Sequence, residues 1–226
     1  MDKNYEVKNS EGKFADYQIK AAFLGNTGVG KTSIIKYEID NKFSQKTQPT
    51  SVFQYFSKKC KICDKIINLQ IWDLGGDTTY ENILQHFYAS ALCIFYVFSL
   101  DDKNSFYDLD KWISISKSDY QTISPFMILI GNKNDINMDE NSITKEEIND
   151  FIIKNNIDYY YETSAKSGEN VHEMFEDIIK KFYIKYIEPN LSDDYSTKSS
   201  KTATHDVLNP CGLDEGKCKV CDCFIF

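Results

Sequence analysis

The sequence contains no arginine, since all 26 of its basic residues are lysine. Acidic residues number 34 and the formal net charge is -8. This balance excludes the strongly basic surface that nucleic-acid binding needs, so we expect no nucleic-acid partner. Any chemistry that requires a guanidinium group must take it from another protein.

Long apolar runs are also missing. The longest, Ala91 to Phe98, is far shorter than the roughly 20 residues that cross a bilayer, and it predicts a buried strand. Residues 1–16 are polar and charged, so we expect no secretory signal peptide. With seven cysteines, an odd number scattered over the chain, this predicts a reducing, cytosolic compartment.

Apolar runs alternate with amphipathic stretches from Tyr17 onward. This alternation predicts an α/β fold, namely a mostly parallel six-stranded sheet with one antiparallel edge strand and helices on both faces. Thr144, followed three residues later by Glu147, predicts a capping box at the start of a helix.

The predicted organisation is a flexible N-terminal extension over residues 1–16, one domain over 17–187, and a disordered tail over 188–226. Pro189 is expected to end the last helix. The tail is rich in serine, threonine, aspartate, lysine and glycine, and its few large apolar side chains cannot offset the entropy of ordering it.

The stretch GNTGVGKTS follows the predicted strand YQIKAAFL and opens a helix, which is the setting of the phosphate-binding pattern G-x-x-x-x-G-K-[ST]. Glycines let successive backbone N–H groups approach a polyphosphate, and the helix points its positive end at it. The lysine adds a point charge, and the threonine hydroxyl is an oxygen ligand suited to Mg²⁺. The residues predicted to line this cradle are Gly25, Asn26, Thr27, Gly28, Val29, Gly30, Lys31, Thr32 and Ser33.

Two further motifs follow predicted strands: GNKND, which contains Asn132, Lys133 and Asp135, and ETSAK, which contains Ser164, Ala165 and Lys166. With the phosphate cradle, they resemble the small GTPases over residues 17–187, which implies the P-loop GTPase fold with GTP or GDP and Mg²⁺ as ligands.

The resemblance gives the residues of these motifs their roles. Asp135 accepts from the guanine N1 and N2 hydrogens, and adenine lacks that donor pair. The Ala165 N–H donates to the guanine O6, Lys133 lies over the base, and Phe43 sits edge-on to it.

Within that family the chain looks most like the Rab branch. Three aromatic residues, Tyr55, Trp72 and Phe87, fall where Rab proteins carry a surface that partner proteins recognise. The other stretches that carry the resemblance are Asn68–Asp73, Tyr80, Phe87–Ala91 and Asn104–Phe106.

The resemblance also implies a metal site and a switch. Thr32, Thr50 and Asp73 correspond to the Mg²⁺-binding groups, and the Gly76 N–H corresponds to the group that contacts the γ-phosphate. Thr50 completes the metal shell only in the triphosphate state, so its release after hydrolysis is the switch. Lys31, Thr50, Gly76 and Asp77 are the predicted catalytic positions.

Three positions depart from the pattern. Ser51-Val52 replaces the Ile-Gly that is typical of Rab proteins, so partner specificity cannot be carried over. Thr27 replaces a glycine or serine, which has little consequence. Asp77 replaces the family's glutamine, whose amide orients the attacking water and donates to the phosphoryl group. An ionised aspartate only accepts and adds negative charge, so we expect slow unaided hydrolysis.

The chain ends CKVCDCFIF, which resembles a prenylation signal at Cys223, with Cys221 forming a C-x-C pair like those of Rab proteins. Because the tail has no polybasic patch, stable membrane attachment needs a second lipid on Cys218 or Cys221. Two alternatives stay open. The cysteines could be unmodified, or Cys60 and Cys63 could form a four-thiolate zinc site with Cys218 and Cys221.

The sequence therefore predicts a monomeric GTP-controlled switch in vesicle traffic, in the cytosol and on the cytoplasmic face of an intracellular membrane. The implied partners are an exchange factor, effectors, a prenyltransferase with its prenyl-binding chaperone, and an activating protein that supplies an arginine in trans. One alternative is a hydrolysis-poor, GTP-bound scaffold, and another is a P-loop ATPase or kinase, against which the two base motifs argue.

Overall fold

The structure is a computed structural model that describes residues 5–10, 12, 14–45, 48–77, 81–117, 124–136 and 142–192. Seven strands form one sheet in the order β1-β3-β4-β2-β5-β6-β7. The strands are β1 Val7–Asn9, β2 Tyr17–Leu24, β3 Phe53–Ile62, β4 Lys65–Leu74, β5 Cys93–Ser99, β6 Phe126–Asn132 and β7 Tyr159–Thr163. The helices are α1 Lys31–Asp40, α2 Glu81–Tyr88, α3 Lys103–Tyr107, α4 Leu109–Lys117, α5 Lys145–Asn155, α6 Val171–Phe182 and α7 Glu188–Ser192.

The centre of the sheet is parallel, as the sequence predicts. β5 pairs in parallel with β2 on one side and β6 on the other, and β6 pairs in parallel with β7. Every residue of β5 and β6 is buried, which explains why both strands are continuous apolar runs. The register places Ser99 beside Asn132 and Asn132 beside Thr163, so the carboxyl ends of these strands meet at one edge.

Alternation along the strands builds a core on each face of the sheet. Leu24, Tyr96 and Phe98 belong to one cluster of buried side chains, which also contains Trp112 of α4. Phe95 points to the opposite face, where its ring stacks on Phe23 with the centroids 4.4 Å apart. The helices therefore cover both faces, as predicted.

Two compact units make up the chain. The larger one consists of Lys20–Lys58 and Leu69–Ile178. The smaller one contains the described parts of the N-terminal segment up to Ile19, Lys59–Asn68, and the described residues from Ile179 to Ser192.

The N-terminal segment departs from the prediction of a flexible extension over 1–16. Val7–Asn9 forms β1, which pairs antiparallel with Cys60–Ile62 and adds a seventh strand to the predicted six. The Tyr5 hydroxyl donates to Glu188 Oε2 over 2.8 Å, and the rings of Tyr5 and Tyr183 lie 6.0 Å apart. These partners are distant in the sequence, so local composition carries no sign of them.

Pro189 does not end the last helix, contrary to the prediction. After α6 the chain makes a π-helical turn, Tyr183–Ile187, and continues into α7. Pro189 is the second residue of α7 and follows the π-helical turn directly, so the helical conformation continues through it although it lacks a backbone N–H. The capping box is confirmed, because the Glu147 N–H donates to the Thr144 hydroxyl over 3.2 Å and the Thr144 N–H to Glu147 Oε2 over 2.8 Å.

Candidate functional site

A cavity of about 310 Å³ opens at the carboxyl edge of the parallel strands, the usual place for a ligand in such a sheet. Most of the predicted site residues line it. Those residues are Thr27, Gly28, Gly30, Lys31, Thr32, Ser33, Phe43, Thr50, Gly76, Asn132, Lys133, Asp135, Ala165 and Lys166. Five lining residues were not predicted: Ser44, Gln45, Gln48, Pro49 and Ile136.

The loop between β2 and α1 wraps one end of the cavity. Gly25 has a φ of 139°, and a Cβ there would run into the carbonyl oxygen of Val97, so only glycine fits. Lys31 is buried, and its Nζ donates to the carbonyl oxygens of Gly25 over 2.7 Å and Asn26 over 2.9 Å. Burial lowers the pKa of Lys31 to about 8, with nearby Asp73 acting in the opposite direction. This arrangement leaves a desolvated cation beside the loop, where an anionic ligand would stabilise its charge.

Three oxygen groups converge beside this lysine. The Thr32 hydroxyl donates to Asp73 Oδ2 over 2.5 Å, and the Thr50 hydroxyl lies 3.2 Å from the same oxygen and 3.0 Å from Thr32 Oγ1. Asp73 is fully buried, and burial raises its pKa against the opposing effect of the Thr32 bond. Its other oxygen, Oδ1, is buried and has no hydrogen-bond partner among the described residues.

An orphaned carboxylate oxygen beside two hydroxyls is the donor set of a small, hard cation. These three residues therefore fit the predicted magnesium ion. The carboxylate would contribute its unpaired oxygen Oδ1, so the ion would satisfy the half of Asp73 that the described residues leave without a hydrogen bond.

The segment after β4 closes the same end of the cavity. The Gly75 N–H donates to the Val52 carbonyl oxygen over 2.7 Å. A Cβ on Gly76 would collide with the backbone of Thr27, so this glycine permits the closest approach between the two loops. Asp77 follows it, is exposed and is not among the residues that line the cavity.

The other end of the cavity carries a carboxylate whose orientation is set by its neighbours. The Ser164 hydroxyl donates to Asp135 Oδ1 over 2.6 Å, and Lys166 Nζ lies 3.2 Å from Asp135 Oδ2. The Ser164 bond is the main reason that the pKa of Asp135 is held below its ordinary value, so this group is an ionised acceptor at neutral pH.

Asn132 joins the three loops around the cavity. Its side-chain Nδ2 donates to the Val29 carbonyl oxygen over 2.8 Å, and its Oδ1 accepts from the Ala165 N–H over 3.2 Å. The side chain is buried, with 1% of its surface exposed, so these bonds are shielded from water. Asn132 therefore links the phosphate end to the carboxylate end without itself needing to touch a ligand.

Lys133 has a partner that the sequence reasoning missed. Its Nζ lies 3.4 Å from Asp101 Oδ1, and the same oxygen accepts from the Ser99 hydroxyl. Ser99 ends β5, beside β6 in the parallel sheet, so the position of Asp101 after a neighbouring strand was the available signal.

The three predicted surface aromatics lie together, and two of them, Trp72 and Phe87, are partly buried against the core cluster that contains Trp112. Trp72 is central, with its ring 5.0 Å from Tyr55 and 4.9 Å from Phe87. Phe53, which was not predicted, belongs to the same group, with its ring centroid 4.2 Å from that of Phe87, and its side chain is 39% exposed. These four residues are called the aromatic patch below.

The predicted lipidation residues, Cys221 and Cys223, lie outside the described residues, as does Cys218. Of the other two cysteines in the zinc alternative, Cys60 is buried and Cys63 is exposed. Every helix in the described part of the chain is too short or too polar to cross a bilayer.

Comparison with known proteins gives one consistent answer. A sequence profile of the Ras family matches residues 20–184. The Ypt/Rab-type GTPase ypt7 of Schizosaccharomyces pombe is 35% identical over 167 residues, which cover 72% of this chain and 80% of that protein. Ras-related protein RabN1 of Dictyostelium discoideum is 31% identical over 218 residues, covering 90% and 98%. Ras-related protein Rab7 of Cenchrus ciliaris is 34% identical over 169 residues, covering 72% and 81%.

Proposed function

Because this chain belongs to the Ras family of small GTPases, and within it to the Rab branch, we propose that its cavity works as a guanine-nucleotide switch that controls membrane traffic. Membership makes the chain a GTP hydrolase that binds GTP, GDP and Mg²⁺. We further propose the roles of individual residues, the partner proteins and the attachment to a membrane.

One observation carries the assignment of the residues. One cavity is lined by the buried Lys31, by the hydroxyls of Thr32 and Thr50, which contact the buried Asp73 carboxylate, and by the ionised Asp135, and this arrangement supports the assignment of phosphates, metal and guanine. Asp135 accepts from the two guanine hydrogens, and the Ala165 N–H donates to O6. Lys133 and Phe43 border the base, while Asn132, Ser164 and Lys166 support the loops around it.

The phosphate end has the groups needed to favour hydrolysis. Lys31 and the backbone N–H groups of residues 25–33 offset the negative charge that accumulates on the phosphoryl group. Magnesium, held by Thr32, Thr50 and Asp73, supplies further charge neutralisation when bound. Thr50 and Gly76 contact the γ-phosphate side, so both lose a partner once GTP has become GDP.

Nucleotide competition tests the assignment of the base site. The purified protein is loaded with a fluorescent GDP analogue in Mg²⁺ and titrated with GDP, GTP, ADP and ATP. We expect the guanine nucleotides to compete at least about 1,000-fold more strongly, since adenine lacks the pair of hydrogens that Asp135 would accept from guanine. Equal competition by the adenine nucleotides would contradict the proposed base site.

A second candidate function is a long-lived GTP-bound scaffold, which Asp77 favours. Its carboxylate can only accept hydrogen bonds when ionised, and it is exposed beside the segment that closes the phosphate end. Single-turnover hydrolysis with and without activators from a lysate separates the two. Turnover that stays near the unaided rate in every activator fraction favours the scaffold.

The aromatic patch is the surface we assign to effectors of the GTP state, because the first residues of β3 and the last of β4 adjoin Thr50 and Gly76. The other partners proposed are an exchange factor and an activating protein that supplies the arginine this chain lacks. Lipids on Cys223 and Cys221 would hold the protein at the cytoplasmic face of an intracellular membrane.

Affinity capture tests this surface. Protein loaded with a non-hydrolysable GTP analogue or with GDP is used to capture proteins from a lysate, and Phe87→Ala is compared with the native sequence. We expect a set of proteins retained only by the triphosphate form and lost in the variant. Identical sets in both nucleotide states would contradict the proposed switch.

A further inference from the structure

The side chain of Asn26 is held by two residues far away in the sequence, one in α4 and one just before it. Its Nδ2 donates to Asp108 Oδ2 over 2.7 Å, and its Oδ1 accepts from Trp112 Nε1 over 2.9 Å. Asn26 occupies an open position of the phosphate-binding pattern, so the motif itself sets no requirement on its side chain. Its amide nitrogen and its amide oxygen nonetheless both form hydrogen bonds, with Asp108 and with Trp112 of α4.

The two partners of Asn26 are themselves anchored. Trp112 is 2% exposed and belongs to the buried cluster beneath α4. Asp108 lies between α3 and α4, where its N–H donates to the Asn104 carbonyl oxygen over 2.9 Å and its own carbonyl oxygen accepts from the Lys111 N–H over 3.1 Å. Asp108 therefore offers an acceptor and Trp112 of α4 a donor, each at a position fixed by its own bonds and packing.

The backbone of Asn26 lies at the phosphate end of the cavity. Its carbonyl oxygen accepts from Lys31 Nζ over 2.9 Å. Its carbonyl carbon and the N of Thr27 are the atoms that a Cβ on Gly76 would strike. The peptide between Asn26 and Thr27 thus lies next to both the buried cation and the closing segment, while the side chain hydrogen-bonds to Asp108 and to Trp112 of α4.

We propose that Asp108 and Trp112 are positioning residues for GTP hydrolysis, which act by holding the Asn26–Thr27 peptide at the place where Lys31 and Gly76 meet it. The inference rests on the proposed function of the cavity, because it concerns the γ-phosphate end of that site. Displacing this peptide by a fraction of an ångström moves groups that must align with the transferring phosphoryl group. GDP has no γ-phosphate, so its retention depends less on this contact.

A reciprocal exchange tests the proposal. In Asn26→Asp, a carboxylate faces the carboxylate of Asp108 at hydrogen-bond distance, so the two repel and the donor is lost. In Asn26→Asp with Asp108→Asn, the donor and acceptor are swapped, net charge is unchanged, and Trp112 still finds an acceptor. Asp110→Asn is the matched control, because it also removes a carboxylate near the start of α4. The Asp110 carboxylate pairs with Lys154 and not with the loop between β2 and α1.

Three measurements are made on the native protein and the variants: single-turnover GTP hydrolysis, release of labelled GDP, and the thermal midpoint. We expect Asn26→Asp to slow hydrolysis by about tenfold and to change GDP release by less than about threefold. The double variant should recover a hydrolysis rate within about threefold of the native rate, and Asp110→Asn should hydrolyse GTP at the native rate. A purely structural role would instead lower the thermal midpoint and change both nucleotide readouts together.

Three results overturn the inference: hydrolysis in Asn26→Asp equal to that of the native protein, no recovery in the double variant, or parallel loss of hydrolysis, GDP retention and thermal stability. In each case the native protein still binds and hydrolyses GTP, so the proposed function stands. A native protein that fails to retain guanine nucleotides removes the proposed function and this inference together.

Discussion

The Thr32 hydroxyl lies 2.5 Å from Asp73 Oδ2, while Asp73 Oδ1 has no hydrogen-bond partner among the described residues. One half of a fully buried carboxylate is therefore satisfied by the protein, and the other half has no hydrogen bond from any described residue. The cost of burying such a group is offset only when a partner binds it.

Magnesium should therefore control how long the nucleotide stays bound. We expect chelation of Mg²⁺ to accelerate release of labelled GDP from the native protein at least about tenfold. Asp73→Asn, which lacks the charge, should release GDP quickly in saturating Mg²⁺ and respond little to the chelator. The proposed metal ligands are wrong if the chelator leaves release from the native protein unchanged.

The identity of residue 77 should limit unaided hydrolysis. We expect Asp77→Gln to raise the single-turnover rate by about tenfold, because an amide both orients water and donates to the phosphoryl oxygens. Asp77→Asn separates the two contributions, since it removes the charge without extending the side chain. A glutamine variant that hydrolyses GTP no faster than the native protein would contradict this role.

Specificity for guanine should depend on the acceptor at residue 135. Asp135→Asn presents an amide N–H₂ where guanine also donates, so we expect GDP affinity to fall roughly 100-fold or more. Xanthosine diphosphate carries a carbonyl oxygen in place of the guanine amino group, and it should bind the variant better than GDP does. Competition titrations measure both, and an unchanged preference for GDP would place the base elsewhere.

The ion pair between the buried Glu38 of α1 and the partly buried Lys58 of β3 should carry stability that depends on pH. Glu38 is 4% exposed and accepts from Lys58 Nζ over 2.8 Å, while its other oxygen lies 2.5 Å from His172 Nδ1. Burial raises the pKa of Glu38, and the bonds to Lys58 and His172 act against that rise. Lys58→Met should raise the pKa further and lower the free energy of unfolding by about 3 kcal/mol at neutral pH.

The sign of the pH dependence follows from that raised pKa. A folded state that holds the Glu38 proton more tightly than the unfolded chain loses stability as pH rises from the unfolded value through the folded pKa. The deficit of Lys58→Met should therefore be smaller at about pH 5 than at about pH 7.5 in denaturant titrations. Lys154→Met is the control, because its exposed pair with Asp110 should be worth less than about 1 kcal/mol. Equal deficits at both pH values would contradict this account.

Local patterns predicted much of the fold because they report local physics. The wholly apolar sequences of β5 and β6 predicted a parallel sheet with both faces covered. Thr144 with Glu147 predicted the start of α5. The composition of the N-terminal segment predicted a flexible extension and gave no sign of β1, since this strand forms by pairing with Cys60–Ile62. The expectation from Pro189 was also wrong, because the helical conformation continues through it from the π-helical turn into α7.

The chain by itself determined the chemistry of the cavity. Motif spacing placed Lys31, Thr32 and Asp135 at strand ends, and parallel pairing brings such ends to one edge of a sheet. Only the tertiary structure decided which side chains hold those groups in place: Asp108 and Trp112 at Asn26, Asp101 at Lys133, and Lys58 with His172 at Glu38. The reason is that hydrogen bonds between residues tens of positions apart depend on sheet register and helix packing, which no short stretch of sequence encodes.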